Sequence, residues 1–157
     1  MRRAVPLLMA LGTLLATSAC SRTSTGPPPV LSKGRIVATT SGGKATLNVE
    51  IADTQTLRDE GLMGRTSLDA DSGMAFLWSS PTTSTFWMKD TLIPLSVVFW
   101  DEAGDVVAVD EMTPCAADPC KTYGAPVAYV GAAEANARWF DEHGVRVGDH
   151  INLTRTP

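Results

Sequence analysis

The chain has 157 residues, 44% of them hydrophobic, with 13 Lys and Arg against 17 Asp and Glu for a net charge of −4. That length and apolar content suit one compact domain with one core. An acidic chain with no stripe of Lys and Arg lacks the surface that phosphate neutralisation requires, which argues against nucleic-acid binding.

The N-terminal stretch has the order of an export signal. Arg2 and Arg3 precede an apolar run, Ala4 to Ala16, that is too short to persist as a membrane span, and Thr17-Ser18-Ala19-Cys20 follows. Residues 1–19 are therefore set apart from the fold. A cysteine after small residues resembles the lipobox of bacterial lipoproteins, in which Cys20 would be lipidated and become the new N-terminus. Thr17 stands where leucine is usual, and ordinary secretory cleavage near Ala19 is the alternative. Both routes export the chain, and lipidation would place it on the bacterial cell envelope. Segment 20–34 is rich in Ser, Thr, Gly and Pro, including Pro27-Pro28-Pro29. Such a composition cannot bury enough surface to fold and reads as a flexible tether. Residues 35–157 form the predicted domain. Without residues 1–19 the charge of the chain falls to −6, from 11 basic and 17 acidic residues. No second apolar stretch approaches transmembrane length, so the expected membrane partner is reached through Cys20 alone.

Ala45 to Ile51 alternates apolar and polar residues, the pattern of a half-buried strand. Asp53-Thr54 can cap a short helix over 55–60 that Gly61 ends. Gly73 to Trp78 reads as a strand stopped by Ser79-Ser80-Pro81, and Thr85 to Thr91 as the next, broken by Pro94. Leu95–Trp100 and Val106–Val109 flank the turn signal Asp101–Asp105 and predict a hairpin. Cys115 and Cys120 bracket a small loop. With export, a structural disulfide is favoured over a redox pair, which would have two intervening residues, and over zinc, which would need a second Cys/His pair. Val127–Val130 suggests a short strand, Ala132–His143 has helical composition ending at Gly144, and Val147–Leu153 closes the domain. Many short strands with two small helices predict a mainly β single domain, a sandwich or partly closed barrel.

The run Phe86-Trp87-Met88-Lys89-Asp90-Thr91 embeds charges in an apolar segment, which is costly unless they are paired or face a cleft. In a regular strand Trp87, Lys89 and Thr91 share one face, and Phe86, Met88 and Asp90 the other. Lys89 then needs Glu134 or Glu50 as a partner, and Asp90 needs Arg58 or Arg65. Two readings stand. In one, these charges are a fixed network holding loops to the sheet. In the other, Arg58, Arg65, Trp87, Lys89, Asp90 and Glu134 surround a shallow pocket suited to a sugar or a small anion. His143 and His150 are the two histidines and no third ligand accompanies them, so neither metal nor cofactor is expected. No nucleophile elbow occurs.

Several blocks then align in order: Val49-Glu50-Ile51-Ala52, Arg58-Asp59-Glu60-Gly61-Leu62-Met63-Gly64-Arg65, Gly73-Met74-Ala75-Phe76, Phe86 to Leu95, Glu134, and Val147-Gly148-Asp149. Together, over residues 45–153, they resemble the DUF192 family. The resemblance implies a compact, jelly-roll-like β domain, often exported, and carries over no activity. Asp90 stands where the family usually has asparagine, Ser96 where it has aspartate, and Arg138 near a usual glycine. The favoured function is a non-enzymatic envelope module binding a small molecule, glycan or protein. The alternative is a hydrolase or lyase using Asp90 or Glu134 with Lys89.

Overall fold

The computed structural model describes residues 30–157. The predicted export signal, Cys20 and most of the tether lie outside them. Strand β1 (Ser32–Thr40) begins inside the predicted tether, so Ser32, Lys33 and Gly34 belong to the folded domain rather than to the linker. It pairs with β2 (Gly43–Ala52), after which come α1 (Gln55–Glu60), β3 (Ser72–Thr82), β4 (Phe86–Trp87), β5 (Leu95–Trp100) and β6 (Val106–Met112). The chain ends with β7 (Thr122–Tyr123), β8 (Tyr129–Asn136), α2 (Trp139–Glu142) and β9 (His150–Arg155).

Seven strands form one sheet in the order β6-β5-β8-β3-β2-β1-β9, and β4 pairs with β7 in a separate small sheet. The β2–β3 pair is parallel because α1 lies in the crossover between them, while the other pairs are antiparallel. The outer strands approach at one end, where Val106 N donates to Asp149 O at 2.8 Å and Ile151 N to Gly104 O at 2.7 Å. The sheet is not closed into a barrel along the rest of its edge. This is the mainly β, two-helix fold the sequence predicts, built as a sandwich.

Both faces of the sheet are buried. On one, Ile36, Leu47, Ile51, Val98, Trp100 and Phe140 pack together with small residues of β8. On the other, Met74, Phe76, Met88, Val97, Phe99 and Tyr129 lie beneath α1 and the small sheet. Period-two alternation divides the two sets, since neighbouring strand residues point to opposite sides. Gly131 of β8 is required by this packing: a Cβ there would collide with the Trp100 indole.

Two predicted elements are corrected. The helix expected over 132–143 begins as strand, because Ala132 to Ala135 pair with both β3 and β5. Alanine favours a helix in isolation, but here its small side chain suits a central strand packed on both faces, and tertiary context prevails. Only Trp139–Glu142 remains helical. The strand expected over 85–91 ends at Trp87. Beyond it Met88 is buried, its carbonyl accepts from Thr91 N and Cys115 N at 3.3 Å, and the chain turns through Asp90 at φ +54°.

Candidate functional site

Thr54 caps α1 by accepting from Leu57 N at 3.3 Å, and Gly61 ends the helix at φ +50°. These two residues fix a one-and-a-half-turn helix that buries Leu57 and sets Arg58 over the sheet. Arg58 Nη1 donates to Leu77 O at 2.8 Å and Nη2 to Gln55 Oε1 at 3.3 Å. Its guanidinium lies 5.2 Å from the Trp78 ring centroid, a cation–π distance, and its Nε is buried without a partner.

Beneath Arg58 is a cavity of about 400 Å³ enclosed by α1, β3, β4 and β8. Phe76 and Trp78 from β3 and Phe86 and Trp87 from β4 form its aromatic walls. Phe86 stands edge-on to Phe76 at 4.9 Å and to Phe99 at 5.5 Å, which holds the short β4 against the sheet. The segment leading into β4 is tied down by Tyr129, whose hydroxyl donates to Ser84 O at 2.6 Å. Burial pushes that phenol up to about 12, so it stays a donor. Trp87, at the rim, is 50% exposed.

Glu134 also lines the cavity. It sits in the middle of β8, opposite Met74 of β3 and Val97 of β5, and is 4% exposed. Its apolar neighbours follow from the alternation that puts Ala132 on the same side. Desolvation by burial, with no hydrogen bond or opposite charge to offset it, pushes the carboxyl up to about 8. Near neutral pH the group is therefore largely a protonated acid, able both to donate and to accept.

Of the six residues marked from the sequence, Arg58, Trp87 and Glu134 come together here. Arg65 instead forms an ion pair with Glu50 beside a second, more polar cavity that also includes Lys33, Asn48 and Asp69. Lys89 donates to Asp118 at 2.8 Å, a bond that raises its pKa, and so is partnered by neither Glu134 nor Glu50. Asp90 is partnered by neither Arg58 nor Arg65. Its carbonyl accepts from Gly64 N at 2.9 Å, and its positive φ marks a turn residue. Asp118 belongs to the loop closed by the Cys115–Cys120 disulfide, which forms as expected with Cα atoms 5.6 Å apart. That loop leads directly into β7, the partner strand of β4.

The departures from the family pattern now have positions. Asp90 and Arg138 are the two non-glycine residues with positive φ among those described, at +54° and +66°. Asparagine and glycine are the residues that enter this region most readily. Ser96 is fully buried on the face opposite Glu134, and its hydroxyl donates to Asn136 O at 2.9 Å. A carboxylate at that position would not have joined the cavity. Phe76, Trp78 and Phe86 were not among the site residues marked from the sequence. The i, i+2 spacing of Phe76 and Trp78, which puts both on one strand face, was the available signal. Among the described residues no group of three or more His, Cys, Asp or Glu is placed to hold a metal ion, and no helix is long and apolar enough to cross a membrane.

The family model DUF192, described as "Uncharacterized ACR", matches residues 36–153. The crystal structure of a protein of unknown function from Novosphingobium aromaticivorans DSM 12444 superposes with a TM-score of 0.73 at 25% identity, covering 90% of this chain and 99% of that one. A Sinorhizobium meliloti 1021 protein, provisionally called a transcription regulator, superposes with a TM-score of 0.71 at 26% identity over 78% of this chain and 95% of its own. No curated protein matches the chain. The chain belongs to the DUF192 family.

Proposed function

We propose that this DUF192 protein is an exported, non-enzymatic binding module, tethered to the bacterial envelope through lipidated Cys20, which takes a small polar molecule into the cavity over Glu134. The observation that carries this reading is Glu134 itself: an unpartnered acid, 4% exposed, lining an aromatic-walled void. Burying a polar group without a hydrogen bond costs on the order of 1–3 kcal/mol in proteins. Glu134 escapes that cost only through the cavity its carboxyl opens into, and a ligand there would supply the bond the chain does not. The aromatic walls offer flat faces for a sugar-like ring, and Ser84, Thr85 and Gln55 supply polar groups near the rim. The sequence features of residues 1–31 support export and tethering.

A second reading has one observation behind it. An acid raised to about 8 is poised as a general acid near neutral pH. Lys89, its expected partner, and Asp90, the alternative carboxylate, contribute nothing to the lining of this cavity.

Thermal-shift screening of the purified chain with cell-wall sugars and their fragments tests the binding reading. A ligand that raises the melting temperature of the wild type and not of Glu134→Gln is expected. A shift that survives both Glu134→Gln and Trp87→Ala would move the site elsewhere. Turnover of a bound fragment would favour the general-acid reading. Labelling with radioactive palmitate, present in the wild type and lost in Cys20→Ala, tests the anchor.

A further inference from the structure

The side chains around the Glu134 cavity carry a charge balance that narrows the ligand. Besides Glu134, the charged residues of the lining are Arg58 and Asp59. Arg58 is held by Leu77 O, Gln55 and the Trp78 face, with its Nε left for an acceptor on the ligand, and Asp59 accepts from Gln55 Nε2 at 2.7 Å. One fixed cation and one fixed anion cancel, so the lining is neutral while Glu134 keeps its proton. With Glu134 ionised the lining carries one net negative charge, which an incoming cation would neutralise in place of the proton. A metal ion finds too few oxygen donors, because no three acidic, His or Cys side chains converge among the described residues. An organic ammonium fits better. It needs one counter-ion and aromatic surface, and here Phe76, Phe86 and Trp87 line the cavity beside the Trp78 ring that Arg58 covers.

Resting on the binding reading above, we infer that the cavity recognises a primary ammonium group, with Glu134 as its counter-ion and the aromatic walls around it. Binding is then a cation exchange: the ligand R–NH3+ enters, the Glu134 carboxylic acid gives its proton to solvent buffer, and an ammonium–carboxylate pair remains. No covalent bond to carbon is made or broken, and charge is conserved. The ammonium could belong to an amino sugar or to the free amine of an amino acid or short peptide, which share this chemistry.

Isothermal titration of the full chain with glucosamine, L-alaninamide, glucose and N-acetylglucosamine separates these cases. Titrations in two buffers of different ionisation enthalpy count the protons released. The expected result is binding of at least one of the two amines, with close to one proton released at pH 6 and affinity rising about tenfold per pH unit up to about pH 7, where both the acid of pKa about 8 and the amines are still protonated. Tight glucosamine binding assigns the amino-sugar source, and tight alaninamide binding the amino-acid source. Loss of at least tenfold in Glu134→Gln supports the exchange, and the wild-type proton count stands even if that variant folds poorly. Equal binding of glucosamine and N-acetylglucosamine, or amine binding without proton release, overturns the ammonium inference while leaving the cavity as a ligand site. Binding by none of the four overturns the ammonium inference as well, whereas the wider screen of wall fragments decides the cavity reading separately.

Discussion

Along β8, Ala133 and Ala135 enter the core shared with Val98, Trp100 and Phe140, whereas Ala132 and Glu134, one residue out of phase, enter the one shared with Phe76 and Phe99. The first face is closed by the curled sheet itself and by α2. Its buried polar side chain, Ser96, has its hydroxyl bonded to a carbonyl. The second is closed by thinner pieces, a six-residue helix and a strand of two residues, and there the buried acid faces a void. The same sheet thus serves as a filled core on one side and as the floor of a site on the other. What separates them is whether each buried polar group has its partner within the chain.

The largest test of this contrast is pH. Glu134 has a folded-state pKa of about 8 against an unfolded value of 4.5, so between these values the unfolded chain has released a proton that the folded chain retains. Stability therefore falls as pH rises through that window and levels off above it, by up to about 5 kcal/mol at 1.36 kcal/mol per unit. Urea unfolding at pH 5 and pH 8.5 reads about 4 kcal/mol of this difference, and Glu134→Gln should flatten it. A wild-type profile without that slope would mean that the second face is as well satisfied as the first.

Next in size is a truncation on the filled side. Phe140→Ala removes a fully buried ring and should cost about 3–5 kcal/mol in urea unfolding. Trp87→Ala, at the half-exposed rim of the cavity, should shift the unfolding midpoint far less while abolishing ligand-induced thermal shifts. If the two substitutions destabilise equally, Trp87 is core rather than wall. Replacing both Cys115 and Cys120 by serine should cost about 2 kcal/mol on the chain-entropy argument for so small a ring. The loss should fall on the second face, through β7, and is read as weaker ligand binding together with a lower midpoint.

The smallest expected effects concern backbone strain and surface charge. Arg138→Gly should raise stability by about 0.5–1 kcal/mol, because relief of a left-handed φ exceeds the extra freedom glycine has when unfolded. Asp90→Asn should do the same to a lesser degree. Lys89→Ala should leave the midpoint unchanged, since its ion pair with Asp118 is exposed on both sides.

How far these features could be read from the residues depended on the range of the signal. The alternation of Ala45–Ile51, the Thr54 cap and the Asp101–Asp105 turn are local, and the structure has β2, α1 and the β5–β6 hairpin where they point. β8 was hidden because alanine signals helix, and only its two neighbouring strands make it extended. The Phe86–Thr91 run kept its apolar character while its backbone turned, so face-sharing between Trp87 and Lys89 did not survive. The partner of Lys89 lies 29 residues away in a loop, beyond any spacing rule. Arg58, Trp87 and Glu134 were identifiable as polar or aromatic groups out of place. Phe76 and Trp78 were not, because an aromatic in a strand ordinarily means core.

The small sheet has a kinetic consequence. Only two residue pairs, Phe86 with Tyr123 and Trp87 with Thr122, join β4 to β7. A pairing so short can part without disturbing the seven-stranded sheet, so local opening there requires less free energy than global unfolding. Amide hydrogen exchange at these four residues should run ahead of exchange in β5 and β8. If the cavity fills by that route, the opening rate of this two-rung ladder sets how fast a ligand can arrive or leave.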